Sequence, residues 1–135
     1  MNNGYLIDAN ILCAYANADD IHHHRAVQLL QHFIYLKEPI YLSDYVFDEV
    51  MGVITRKVHK KAALVFGEFL LRSELFVLQT TETVFLKAWD IFQEKNSFSF
   101  TDCVLLALHQ LFDIERIITF DKEFQRVKDI TVISE

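Results

Sequence analysis

Short apolar runs alternate with longer stretches of helical periodicity along the whole chain, and that alternation leaves few architectures open. Tyr5-Leu6-Ile7, Ile40-Tyr41-Leu42, Leu75-Phe76-Val77-Leu78, Ile117-Ile118-Thr119 and Thr131-Val132-Ile133 read as strands. Asp20 caps a helix whose inner face is Ala26, Leu29, Leu30 and Phe33, and Pro39 stops it. Ser43 caps a helix through about Thr55. Further helices carry Val58, Ala62, Val65, Phe66 and Phe69, and then Phe85, Ala88, Trp89 and Phe92. Ser99 opens another that ends near Asp113, and a short helix starts at Asp121. Strands separated by helices imply right-handed crossovers and a parallel sheet covered on both faces. The expected fold is therefore a three-layer α/β/α arrangement. Only three Gly and one Pro are present, too few for the tight turns of a many-stranded sandwich.

The 135 residues read as a single domain, 1–135, with no internal repeat. Thirteen Lys and Arg face 19 Asp and Glu, a formal charge of −6, which excludes a protein that coats nucleic acid by charge alone. An apolar fraction of 52% with 24% charged residues excludes disorder. Cys13 and Cys103 match no zinc spacing. No signal-peptide pattern opens the chain, and no apolar run approaches the roughly 20 residues of a membrane span. The expectation is a soluble cytoplasmic protein with reduced thiols.

In a parallel sheet of this kind, ligands bind beyond the carboxyl ends of the strands. Asp8 follows the first strand, and Asp121 lies two residues after Ile117-Ile118-Thr119. Glu49 is in the second turn of the helix from Ser43, and Asp102 in the first turn of the helix from Ser99. Topology thus predicts that all four meet at one edge. Each has a structural use as well: Asp102 completes a capping box with Ser99, Asp121 caps a helix, Asp8 ends a strand, and Glu49 suits a solvated helix face. Asp8 and Asp102 are nevertheless embedded in apolar sequence with no Lys or Arg nearby to pair with them. Clustered carboxylates repel one another until a proton or a cation neutralises some of them. Oxygen-only donors suit Mg2+ or Mn2+, and a carboxylate-held ion in an open cleft suits phosphodiester hydrolysis.

Four segments resemble the motifs of the PIN domain family, small metal-dependent ribonucleases that include the toxins of VapBC-type toxin–antitoxin pairs. They are Leu6-Ile7-Asp8-Ala9-Asn10-Ile11-Leu12, Ser43-Asp44-Tyr45-Val46-Phe47-Asp48-Glu49-Val50, Phe100-Thr101-Asp102-Cys103-Val104-Leu105-Leu106-Ala107, and Thr119-Phe120-Asp121-Lys122-Glu123-Phe124. The resemblance covers nearly the whole chain. It implies a five-stranded sheet in order 3-2-1-4-5 and an acidic pocket for Mg2+ or Mn2+. It also implies endonucleolytic cleavage of single-stranded RNA regions. Asp8, Glu49, Asp102 and Asp121 carry over as the metal-binding, catalytic set. Asn10, Ser43 and Thr101 carry over as pocket support, although Asn10 stands where the family more often carries Thr or Ser.

Arg56, Lys57, Lys60 and Lys61 lie within six positions, and Arg56 shares a helical stripe with Glu49 across Gly52. They form a candidate phosphate track toward the acids; a solvated basic turn is the structural alternative. Lys122 and Arg126 are weaker candidates for the same role. His22, His23 and His24 are consecutive and cannot converge on one ion. His109 reads as a packing residue. Twelve Phe exceed what a small core needs, which fits a homodimer or a bound partner such as an antitoxin. The competing readings are a non-catalytic RNA- or protein-binding module and a phospho-acceptor signalling domain; the second needs a late Lys partner and fits Asp121 poorly.

Overall fold

The computed structural model describes residues 2–95 and 97–135. Its strands are β1 (Asn2–Ile7), β2 (Ile40–Ser43), β3 (Phe76–Leu78), β4 (Ile114–Ile118) and β5 (Thr131–Ile133). They form one sheet in the order β3-β2-β1-β4-β5, with every neighbouring pair parallel. Six α-helices connect them: α1 (Ala9–Ala16), α2 (His23–Leu36), α3 (Asp44–Lys57), α4 (Lys60–Arg72), α5 (Glu82–Glu94) and α6 (Phe100–Phe112). The expected topology is thereby found.

Tyr5, Leu6 and Ile7 are all buried, although successive strand residues point to opposite faces. Both faces of β1 are therefore covered, which defines the central layer. On one side Tyr5 meets Phe33 of α2 at a ring separation of 4.6 Å. At the amino end of the sheet Arg116 donates to the Tyr5 hydroxyl at 2.8 Å and pairs with Glu38 at 3.3 Å. This ties β1, β4 and the approach to β2 together at the end opposite the acids. α6 is buried from Cys103 through His109, so its continuous apolar run belongs to an enclosed helix. His109 is the packing residue expected: Nδ1 lies 2.7 Å from the Ile114 carbonyl in the core.

Several local readings are corrected. α1 follows Asp8 directly; its apolar face is too broad to show an amphipathic period, with Ala9, Ile11, Leu12 and Ala14 all buried. α2 starts at His23, because the Asp20 carboxylate accepts from the His22 N–H in a turn and does not cap the helix. α3 runs on to Lys57, and Val58 lies outside α4. α4 buries Ala63, Phe66, Gly67 and Leu70, leaving Val65 and Phe69 exposed. α5 buries Val84, Ala88 and Ile91, leaving Phe85, Trp89 and Phe92 exposed. The segment after Asp121 is a single 3-10 turn, Lys122–Arg126, around buried Phe124.

Candidate active site

Strand order reverses at β1: β2 and β3 lie on one side of it, β4 and β5 on the other. A crevice opens where such a reversal occurs, beyond the carboxyl ends of the strands. Asp8 occupies that point. Its backbone N–H donates to the Ile118 carbonyl of β4 at 2.9 Å, and its side chain is only 4% exposed. One carboxylate oxygen accepts from the Ala9 N–H at 2.7 Å, which starts α1. The other accepts from the Thr119 hydroxyl at 2.7 Å.

Thr119 is the hub of this corner. Its Oγ1 donates to Asp8 and accepts from the Asn10 amide at 3.1 Å and from the Asp121 N–H at 3.0 Å. Asn10 also donates to Asp8 at 3.3 Å and accepts from the Phe120 N–H at 3.1 Å. Asn10 therefore links the first acid to the segment carrying the fourth. Asp121 in turn accepts from the Glu123 N–H at 2.9 Å.

Asp102 sits in the first turn of α6, where Ser99 and Asp102 complete the expected capping box. The Ser99 N–H donates to its carboxylate at 3.1 Å. Thr101 is half-buried beside it. Glu49 lies on the exposed face of α3. Ser43 is buried and its hydroxyl caps α3 through the Tyr45 N–H at 3.2 Å, so it supports the helix that carries Glu49. Asp44 takes no part in the crevice: its carboxylate accepts from the Thr80 N–H and hydroxyl at 2.9 and 2.6 Å, closing β3 onto α3.

The acids feel one another. Burial pushes Asp8 up to about 7 against the lowering hydrogen bond from Thr119, and the charges of Asp102 and Glu49 add to the rise. Desolvation and then Asp102 raise Glu49, while Arg56 lowers it. Burial and the Asp121 charge raise Asp102 against its bonds to Ser99. Asp8, Glu49 and Asp102 thus act on one another electrostatically, and Asp121 acts on Asp102. Among the described residues no group of three His, Cys, Asp or Glu side chains is arranged to hold one ion as it stands. The donor set nonetheless fits a hard divalent cation: it is oxygen-only, partly desolvated, and repulsive until a positive charge enters.

The basic segment divides. Arg56 reaches back over Gly52 toward Glu49, and Lys57 acts on Cys13 at the rim. Lys60 and Lys61 open α4, and Lys61 borders an apolar groove with Tyr15 and Phe69. The three histidines diverge: His23 bonds the Ala14 carbonyl at 2.8 Å, His22 packs on Phe120, and His24 is exposed. Burial raises both thiols to about 11, which leaves them protonated at neutral pH. The sequence put Thr119 at a strand end and at the start of the fourth motif but gave its hydroxyl no role; the signal for one is a hydroxyl two residues before the fourth acid. No described helix is long and apolar enough to cross a membrane.

The PIN domain family model matches residues 5–130. Among curated proteins none matches the sequence significantly. The fold is similar to that of Mycobacterium tuberculosis VapC20, described as a sarcin-ricin loop cleaving toxin. The TM-score is 0.76 at 22% identity, over 90% of this chain and 92% of that one. It is also similar to a chain of DNA-bound VapBC from Salmonella typhimurium, with a TM-score of 0.70 at 14% identity over 98% of each chain. A chain of FitAcB from Neisseria gonorrhoeae gives 0.68 at 20% identity over 96% of each. At these identities the likeness establishes the fold alone.

Proposed function

The chain belongs to the PIN domain family, and from that premise we propose that it is a metal-dependent endoribonuclease. It would hydrolyse phosphodiester bonds in single-stranded regions of RNA as the toxin of a toxin–antitoxin pair. The observation that supports the reading is Asp8 at the strand-order reversal together with the charge effects that link it to Asp102 and Glu49 and link Asp102 to Asp121, with burial raising Asp8, Glu49 and Asp102. Those four residues would hold Mg2+ or Mn2+, which supplies phosphoryl polarisation and an activated water.

The chain's own residues do the rest. Thr119 and Asn10 hold Asp8 and the Asp121 segment in fixed register across the crevice. The capping box fixes Asp102 at the start of α6. Arg56, beside Glu49, meets backbone phosphate, and Lys57, Lys60 and Lys61 extend that positive edge. Thr101 and Ser43 support the two helix starts.

The likeness to toxin–antitoxin complexes supports a protein antitoxin as partner. The exposed Phe85, Trp89 and Phe92 of α5 support self-association into a homodimer.

A cleavage assay on single-stranded RNA tests the activity. Wild type cleaves with Mn2+ or Mg2+, EDTA abolishes cleavage, and Asp8→Asn lowers it by about a hundredfold or more. Cleavage retained in that variant overturns the reading. RNA binding without cleavage at any metal concentration would assign a non-catalytic module instead.

A further inference from the structure

A second concavity of about 280 Å³ opens on the outer side of the Asp121 segment. His22 and Arg25 from the start of α2 face Phe120, Lys122 and Gln125 across it. The His22 ring lies 5.0 Å from the Phe120 ring, and the Arg25 guanidinium sits 4.7 Å over the same ring. Arg25 is held there by a 2.8 Å bond to the Ser134 carbonyl, which leaves its other N–H groups free to donate. The pocket shares walls with the acid crevice. Thr119, which bonds Asp8, and Asp121, whose charge acts on Asp102, line it as well.

We propose that this pocket holds one nucleotide of the RNA strand adjacent to the bond being cut, and so contributes to sequence preference. The inference rests on the nuclease reading for its position, and on its own geometry for the ligand. Three features select that ligand. Two cations in its lining, Arg25 and Lys122, attract a phosphate in a protein that is otherwise acidic. The guanidinium and imidazole planes, braced on Phe120, offer stacking surface to any base. The Gln125 amide offers a paired donor and acceptor, the combination that reads a base edge. The volume admits one small planar group and no duplex. The residues come from two segments far apart in sequence, and His22 is the member of the histidine run that lines the pocket.

Two measurements test it. In EDTA, 1H–15N spectra of wild type are followed while each of the four nucleoside 5′-monophosphates, and inorganic phosphate separately, is added. The nucleotides should shift the Gln125 side-chain amide, the Arg25 Nε–H and the Phe120 amide more than phosphate does. Equal shifts with phosphate, or none, overturn the proposal. In the cleavage assay, Arg25→Ala and Gln125→Ala should raise KM about tenfold with kcat within about twofold of wild type. Arg72→Ala, which removes a surface charge paired with Glu68, controls for charge loss. Nucleotide shifts without a KM effect place the pocket off the substrate path and overturn it. If wild type cleaves no RNA, the nuclease reading fails while the titration still decides whether the pocket takes a nucleotide.

Discussion

Thr119 shows how much of the crevice hangs on one side chain. It is fully buried and satisfies three partners at once: the Asp8 carboxylate, the Asn10 amide and the Asp121 N–H. Thr119→Val keeps the shape and removes every one of those bonds. Asp8 then loses the hydrogen bond that most opposes its rise, and two donors lose an acceptor. The expected loss is about 2 kcal/mol of stability, measured by urea denaturation, because buried groups are left unsatisfied. Thr119→Ser should recover most of it; if valine unfolds no earlier than wild type, the hub assignment fails. The places of the four acids on the elements were legible in the sequence because strand ends and helix starts are local signals, and Ser99 with Asp102 is a local pair. Thr119 was not legible, because its partners Asp8 and Asn10 lie more than a hundred residues away. Ser43 was legible as a helix cap from its place at the end of the second strand, and its hydroxyl caps α3 through the Tyr45 N–H.

At the scale of elements, two glycines inside helices predict opposite outcomes. A Cβ at Gly52 would meet only the tip of Arg56, at 3.1 Å. That guanidinium can yield, so Gly52→Ala should stabilise α3 by about 0.5–1 kcal/mol through helix propensity. A Cβ at Gly67 would lie 3.0 Å from the Met51 sulfur, with Phe47 at 3.6 Å behind it, where α4 packs on α3. There overpacking outweighs propensity, and Gly67→Ala should cost about 1 kcal/mol. Thermal denaturation of the two variants reads both signs, and a gain at position 67 would mean that the helices part easily. The parallel, two-sided sheet was legible because alternating elements admit few topologies, whereas its order 3-2-1-4-5 was implied only by the motif resemblance. The faces of α4 and α5 were not. Their aromatic residues suggested the inner stripe, yet Phe69 stacks on Tyr15 at 5.9 Å near the surface while Gly67 takes the close contact. Periodicity marks a helix but cannot say which of two apolar stripes faces inward when both exist.

For the molecule as a whole, the acid cluster sets stability against pH. Asp8 is raised in the folded state, to about 7 from an ordinary 3.8, and Glu49 and Asp102 are raised as well. Between those values the native protein holds more protons than the unfolded chain, so this contribution to stability falls as pH rises from about 4 to about 7. For Asp8 alone the full displacement corresponds to roughly 4 kcal/mol. Metal-free protein should therefore melt at a lower temperature at pH 8 than at pH 5.5, and Asp8→Asn should flatten that slope by removing the buried charge. A divalent cation that binds only the folded state reverses the loss, adding about 2.7 kcal/mol at a hundred times its Kd. Scanning calorimetry of wild type and Asp8→Asn, with EDTA or with Mn2+ at both pH values, reads all these effects together. Mn2+ should raise the wild-type Tm strongly at pH 8, weakly at pH 5.5 where protons compete for the carboxylates, and least in the variant. Equal Mn2+ shifts in the two proteins would show that the ion binds elsewhere, and a wild-type Tm that climbs toward pH 8 in EDTA would show that the crevice carries no stored repulsion.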